Sequence, residues 1–115
     1  MTLYRWNEIN KERMNPRLVR QAIHGERMTV ARITLEKGVL VPSHEHENEQ
    51  ITLVMEGKLL FHIDGEETVV EPGTIVMIPP NAPHFVQALE DSVAVDLFSP
   101  VREDWRRGDD AYLRK

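Results

Sequence analysis

The sequence predicts an all-β fold, a two-sheet jelly roll closed into a barrel, and three observations carry that prediction. Gly and Pro punctuate the chain about every eight to twelve residues. Between them lie short runs rich in β-branched and aromatic residues, some with strict alternation. Helix signals are confined to the two ends, around residues 6–13 and 102–105. About eight or nine short strands in so small a chain fit two packed sheets.

The expected elements follow in order. Residues 17–24 read as a strand turned at Gly25, and residues 27–36 as the next, closed by Lys37-Gly38. Residues 50–55 are a β-rich run stopped by Glu56-Gly57. In residues 58–63, Leu59, Phe61 and Ile63 share one face, and Leu60 and His62 share the other. Asp64-Gly65 is the residue pair favoured in tight hairpins, where φ must be positive. Residues 66–70, 74–78, 83–88 and 93–98 complete the set, with turns at Pro72-Gly73 and Glu90-Asp91. Met55 and Met77, on barrel strands, read as core filler. His62, in the polar phase of its strand, and His24, before a turn glycine, read as surface residues.

Length and composition bound the function. The 115 residues fit one domain, residues 1–115, with a barrel core at about 17–99. With no cysteine there is neither a disulfide nor a thiolate metal site. No apolar run approaches the length that spans a bilayer, and the first residues lack the layout of a secretion signal. A soluble cytoplasmic protein is therefore expected. The formal net charge of −5 argues against nucleic acid as partner, yet leaves small anionic substrates open, since a local cation outweighs a mean field.

The chemistry-bearing residues are histidines first. His44 and His46 stand at i and i+2, so on a strand both rings face one side and two neutral imidazoles can share a metal ion. Alone, the pair could equally be two polar residues at a strand edge. The surrounding spacing is more specific. Gly38, five residues, His44-x-His46, three residues, Gln50, six residues and Gly57 form one pattern. Gly73, five residues and Pro79-x-Asn81-x-x-His84 form another. Together they resemble the two motifs of the cupin superfamily across residues 38–88. Gln50 replaces the usual Glu, Asn81 the usual Gly and Ala88 the usual Asn; Asn still tolerates a left-handed backbone.

The resemblance implies that His44, His46, Gln50 and His84 converge on one divalent transition-metal ion, with Ni, Fe, Mn, Zn and Cu all compatible with the donors. Gln50 brings oxygen without charge, so the ion keeps its full positive charge and suits Lewis-acid chemistry better than with Glu.

A second constellation ends the barrel, Asp96-Leu97-Phe98-Ser99-Pro100-Val101-Arg102-Glu103-Asp104-Trp105. Asp96 and Phe98 share a face, and a carboxylate in an apolar run is costly to bury alone. By spacing, Asp96 could point outward, pair with Arg102, or serve a site. This run, with Gln50, is similar to the pectin-degradation (KdgF-type) cupins over about residues 25–105, which act on 4,5-unsaturated uronates. The likeness implies that Asp96, Phe98 and Arg102 line the pocket beside the metal. Asp96 would move the proton, Arg102 would clamp the substrate carboxylate with its fork, and Phe98 would pack on the sugar ring. It also implies a homodimer with the N-terminal strand crossing to the partner. A metal-dependent dioxygenase and a non-catalytic sugar-acid sensor are the alternatives. Gln50 weighs against the first, and 115 residues leave no room for the DNA-binding domain that such sensors usually carry.

Overall fold

The computed structural model describes residues 1–115. Ten strands follow in chain order: β1 Glu12–Asn15, β2 Leu18–His24, β3 Thr29–Leu35, β4 Leu40–His44, β5 Glu49–Glu56, β6 Leu59–Ile63, β7 Glu66–Val70, β8 Ile75–Ile78, β9 His84–Ala88 and β10 Ser92–Ser99. A short helix, α1 Glu103–Arg106, and a 3-10 turn, Ala111–Leu113, follow the last strand. All strand pairs are antiparallel, in a six-stranded sheet ordered β1-β2-β3-β10-β5-β8 and a four-stranded sheet ordered β4-β9-β6-β7. Two sheets enclosing one apolar core make the expected jelly-roll β-barrel.

Alternation decides what faces that core. Ala31, Ile33 and Leu35 of β3 point in, as do Ala94 and Phe98 of β10 and Val54 of β5, against Leu59 and Phe61 of the facing sheet. The β6–β7 hairpin turns at Asp64 and Gly65, both with positive φ, as the Asp-Gly pair requires. Asn81 takes φ 63°, the left-handed conformation its place in the second motif demands.

Several expectations change. The N-terminal helix signal at residues 6–13 becomes a 3-10 turn, Trp6–Glu8, followed by β1, which pairs with β2 of the same chain. Sequence reading did not outline β4, whose Pro42 and Ser43 look like loop. Met55 and Met77 are not core filler. They are 54% and 64% exposed, because inward Gln50, Thr52 and Val54 put Ile51, Leu53 and Met55 on the outer face, with Met77 opposite Ile51.

Candidate metal centre and pocket

Register brings the histidines together. His44 at the end of β4 is the direct cross-strand partner of His84 at the start of β9. His46 lies beyond β4 in the connection to β5, so it does not share a strand face with His44 as the i, i+2 spacing suggested. Its ring still arrives, held by an Nδ1 hydrogen bond to the Asn48 carbonyl at 3.0 Å. One ring nitrogen from each of His44, His46 and His84 lies within 4.8 Å of the others, a cluster that could hold a metal ion.

The hydrogen bonds show which nitrogen is free. His44 Nδ1 donates to the Pro42 carbonyl at 2.8 Å and His84 Nδ1 to the Ala82 carbonyl at 2.8 Å, matching His46. With Nδ1 protonated on all three rings, each Nε2 keeps its lone pair. Nε2 of His84 is buried without any partner, a costly arrangement that an ion would relieve. Gln50 Oε1 sits 3.1 Å from His46 Nε2, while Gln50 Nε2 donates to Thr52 Oγ1 at 2.9 Å. Thr52 in turn donates to Asp96 Oδ1 at 2.6 Å. Because the Thr52 proton is committed to a carboxylate, its oxygen must accept from Gln50. The amide is thereby oriented with its oxygen toward the imidazoles. The residues present fit a divalent ion.

Asp96 faces inward, opposite Thr52, and Phe98 faces inward opposite Gln50. Both line a cavity of about 60 Å³ with His44, Gln50, His84 and Arg102. Asp96 does not pair with Arg102. The Arg102 fork that was expected to clamp a substrate is engaged by Asp104, with Nε at 2.9 Å and Nη2 at 2.7 Å, and Nη2 also donates to the Tyr112 hydroxyl at 2.8 Å. Nη1 makes none of these bonds. The guanidinium lies 4.6 Å from the Phe98 ring centroid and 4.3 Å from that of Trp105. His62 and His24 stand apart from the cluster, His62 stacked on Phe85 and His24 bonded to Thr29.

Three residues were given no role by the sequence: Thr52 and Tyr112, which line the pocket, and Asp104, which holds Arg102. Thr52 was open to detection as the next inward position after Gln50. Asp104 stands two residues from Arg102. Tyr112 has no signal of its own, since its place depends on how the C-terminal segment folds back.

Burial dominates the electrostatics. It pushes His44 down to about 3, aided by the neighbouring His84, and His46 down to about 4, aided by the Arg102 charge. His84 is lowered by burial too. Burial raises Asp96 to about 6 against the Thr52 hydrogen bond and the Arg102 charge, which favour the anion. These shifts set the acid response of the metal-free protein. Below the unfolded histidine value near 6.5 the unfolded chain gains protons that the folded cluster refuses, so stability falls as pH drops from there toward 4. Asp96 acts oppositely, destabilising the fold as pH rises from 3.8 through about 6, but one group is set against three. The melting temperature of metal-free protein should fall by at least about 5 °C between pH 6.5 and pH 4.5, read by circular dichroism.

The cupin domain family model matches residues 31–99. Among solved structures, KdgF from Halomonas sp. superposes with a TM-score of 0.85 at 28% identity, over 91% of this chain and 98% of that one. An RmlC-like cupin from Shewanella frigidimarina superposes at 0.86 with 25% identity, over 91% and 96% of the two chains. Oxalate decarboxylase from Bacillus subtilis, a protein with Mn(II) centres, shares the fold at a TM-score of 0.76 and 16% identity, over 86% of this chain and 29% of that one. No curated protein sequence matches. No helix is long and apolar enough to cross a membrane. With the motif spacing, the barrel and a family match over more than half its length in agreement, the chain belongs to the cupin domain family.

Proposed function

We propose that this cupin converts a cyclic 4,5-unsaturated uronate to its linear 5-keto form, with one divalent ion held by His44, His46, Gln50 and His84. The observation that carries the reading is the hydrogen-bonded line from Gln50, whose amide oxygen lies 3.1 Å from His46 Nε2, through Thr52 to Asp96, the carboxylate of the pocket, held at about 6. The likeness to KdgF from Halomonas sp. supports the substrate class.

The reaction is an internal proton shift with ring cleavage. The C1 hydroxyl loses its proton, the C1–O5 bond breaks to leave a C1 aldehyde, and the electron pair passes to O5 as an enolate. C4 then takes a proton and O5 becomes a ketone. When bound, the ion supplies a Lewis acid for the negative charge at O5. Asp96 takes the C1 hydroxyl proton and returns one to C4; a carboxyl near 6 is suited to both directions at neutral pH. Gln50 has no basic oxygen for this task, which leaves it to Asp96. Arg102 offers Nη1 to the substrate carboxylate while Asp104 keeps the guanidinium charged and fixed. Phe98 packs on the sugar ring and excludes water.

The same reading has the protein acting in the cytoplasm as a homodimer. The outer face of the six-stranded sheet supports the dimer, with Ile75 and Met77 exposed beside Met55 and nothing in this chain covering them.

Ultraviolet absorbance of freshly generated 4,5-unsaturated galacturonate tests the activity. Metal-loaded protein should speed loss of the conjugated absorbance and chelator should abolish the gain. Asp96→Asn, isosteric but unable to accept the proton, should lower the rate by about 10²–10⁴-fold with bound metal unchanged. Full turnover by Asp96→Asn removes the residue from its role. A rate equal to the spontaneous one with metal present sinks ring opening, and oxygen consumption by iron-loaded protein becomes the next assay.

A further inference from the structure

The side chains that hold Arg102 leave one donor without an acceptor. Asp104 takes the guanidinium from its side, with Nε donating at 2.9 Å and Nη2 at 2.7 Å. That pairing uses the Nη2 proton that runs parallel to the Nε proton. The second Nη2 proton, which in a planar guanidinium points along the edge shared with Nη1, goes to the Tyr112 hydroxyl at 2.8 Å. The phenol oxygen therefore sits beside Nη1, which makes none of these bonds. Trp105 Nε1 donates to the same oxygen at 3.0 Å. Arginine and tryptophan side chains carry donors and no acceptor, so Tyr112 accepts both bonds and can give its own proton to neither. A phenol oxygen that already accepts twice has one direction left for its O–H. No acceptor of this chain receives that proton, and Tyr112, Arg102 and Trp105 all line the cavity beside the histidines.

The donor is also held still. Its ring stacks on His44, with centroids 4.2 Å apart and 21° between the planes. Leu113 belongs to the core, and Asp110 is buried against Arg20 at 3.0 Å. The Gly108 and Asp109 amides bond back to the Trp105 and Asp104 carbonyls of α1 at 3.1 and 2.7 Å. A donor fixed in this way loses little further freedom when a ligand arrives.

We propose that Tyr112 is a ligand-binding residue whose O–H, side by side with Arg102 Nη1, completes a seat for one carboxylate and makes a sugar acid the preferred ligand over its uncharged counterpart. Two neighbouring donors suit a group that only accepts, and an ionised carboxylate has no proton of its own to misplace there. Its charge also strengthens both bonds relative to a neutral acceptor. The proposal rests on the ring-opening reading for the carboxylate on Arg102, and gives that carboxylate a second donor.

Calorimetry on full-length, Zn²⁺-loaded protein tests the seat, with D-galacturonate and its uncharged methyl ester as ligands. Wild type should bind the acid about 25- to 100-fold more tightly than the ester, five- to tenfold for each of the two donors. Tyr112→Phe keeps the ring and removes the hydroxyl, and its preference for the acid should shrink about five- to tenfold. A hydroxyl that only supports the wall would weaken both ligands alike, and an unchanged preference overturns the proposal. Wild type that does not favour the acid overturns it too, as does a variant that binds the acid as tightly as wild type through the Nη2 proton set free. A preference lost in Tyr112→Phe, with no acceleration of ring opening by wild type, upholds the seat and counts against the reaction. Accelerated ring opening with the preference unchanged does the reverse.

Discussion

Replacing His84 with Ala should leave a folded barrel that no longer retains a metal ion. His84 is 2% exposed, its Nδ1 is spent on the Ala82 carbonyl, and its Nε2 has no protein partner. The unpartnered Nε2 stabilises nothing by itself; its free lone pair has value only with an ion to receive it. Its position opposite His44 means that no nearby side chain can take its place. Removing a group that merely orients a ligand costs about 10–100-fold in affinity, so removing the donor itself should cost at least ~100-fold. Elemental analysis after dialysis should find stoichiometric metal in wild-type protein and almost none in His84→Ala. Uronate turnover should fall to the spontaneous rate, while metal-free His84→Ala should melt close to metal-free wild type. Stoichiometric metal in the variant would remove His84 from the ligand set.

Asp110→Ala should produce the largest loss of stability, from a residue well outside the barrel motifs. Asp110 is 1% exposed and its carboxylate meets Arg20, itself 3% exposed, at 3.0 Å. Burial alone would raise its pKa, but hydrogen bonds from Arg114 and Arg20 outweigh that and hold it low. Arg20 also lies 4.4 Å from the Trp105 ring and reaches Glu12 at 3.2 Å, joining β1, β2, α1 and the C-terminal turn. Removing Asp110 strands a buried guanidinium on the half-exposed Glu12 alone. Breaking a buried pair from one side costs about 3–5 kcal/mol, and the surviving Glu12 contact puts this case near the lower figure. A fall in melting temperature of about 10–15 °C is expected. Asp110→Asn, which keeps an acceptor oxygen, should lose less. If Asp110→Ala melts within about 2 °C of wild type, the buried pair contributes little to holding the C-terminal segment down.

The class of fold and most strand positions were legible in the residues themselves, whereas the convergence of the histidines was implied by the resemblance to cupins. The strands follow from local rules, alternation with period two and positive φ at Asp64-Gly65 and Asn81. Alternation shows which residues share a face, and not which face is inside. That is why Asp96 stayed open between pocket and solvent, and why Met55 and Met77 were expected in a core they do not reach. These points belong to the tertiary structure, because the second sheet and the register between β5 and β10 choose the inner face and set Asp96 against Thr52. It alone also decided the partners of Arg102 and the place of Tyr112. Arg102 could have met Asp96 or Asp104, and Tyr112 reaches His44 from 68 residues away in sequence through a segment with no repeating pattern. Contacts made by a chain end folding back depend on the surface already built, which no local pattern of residues encodes.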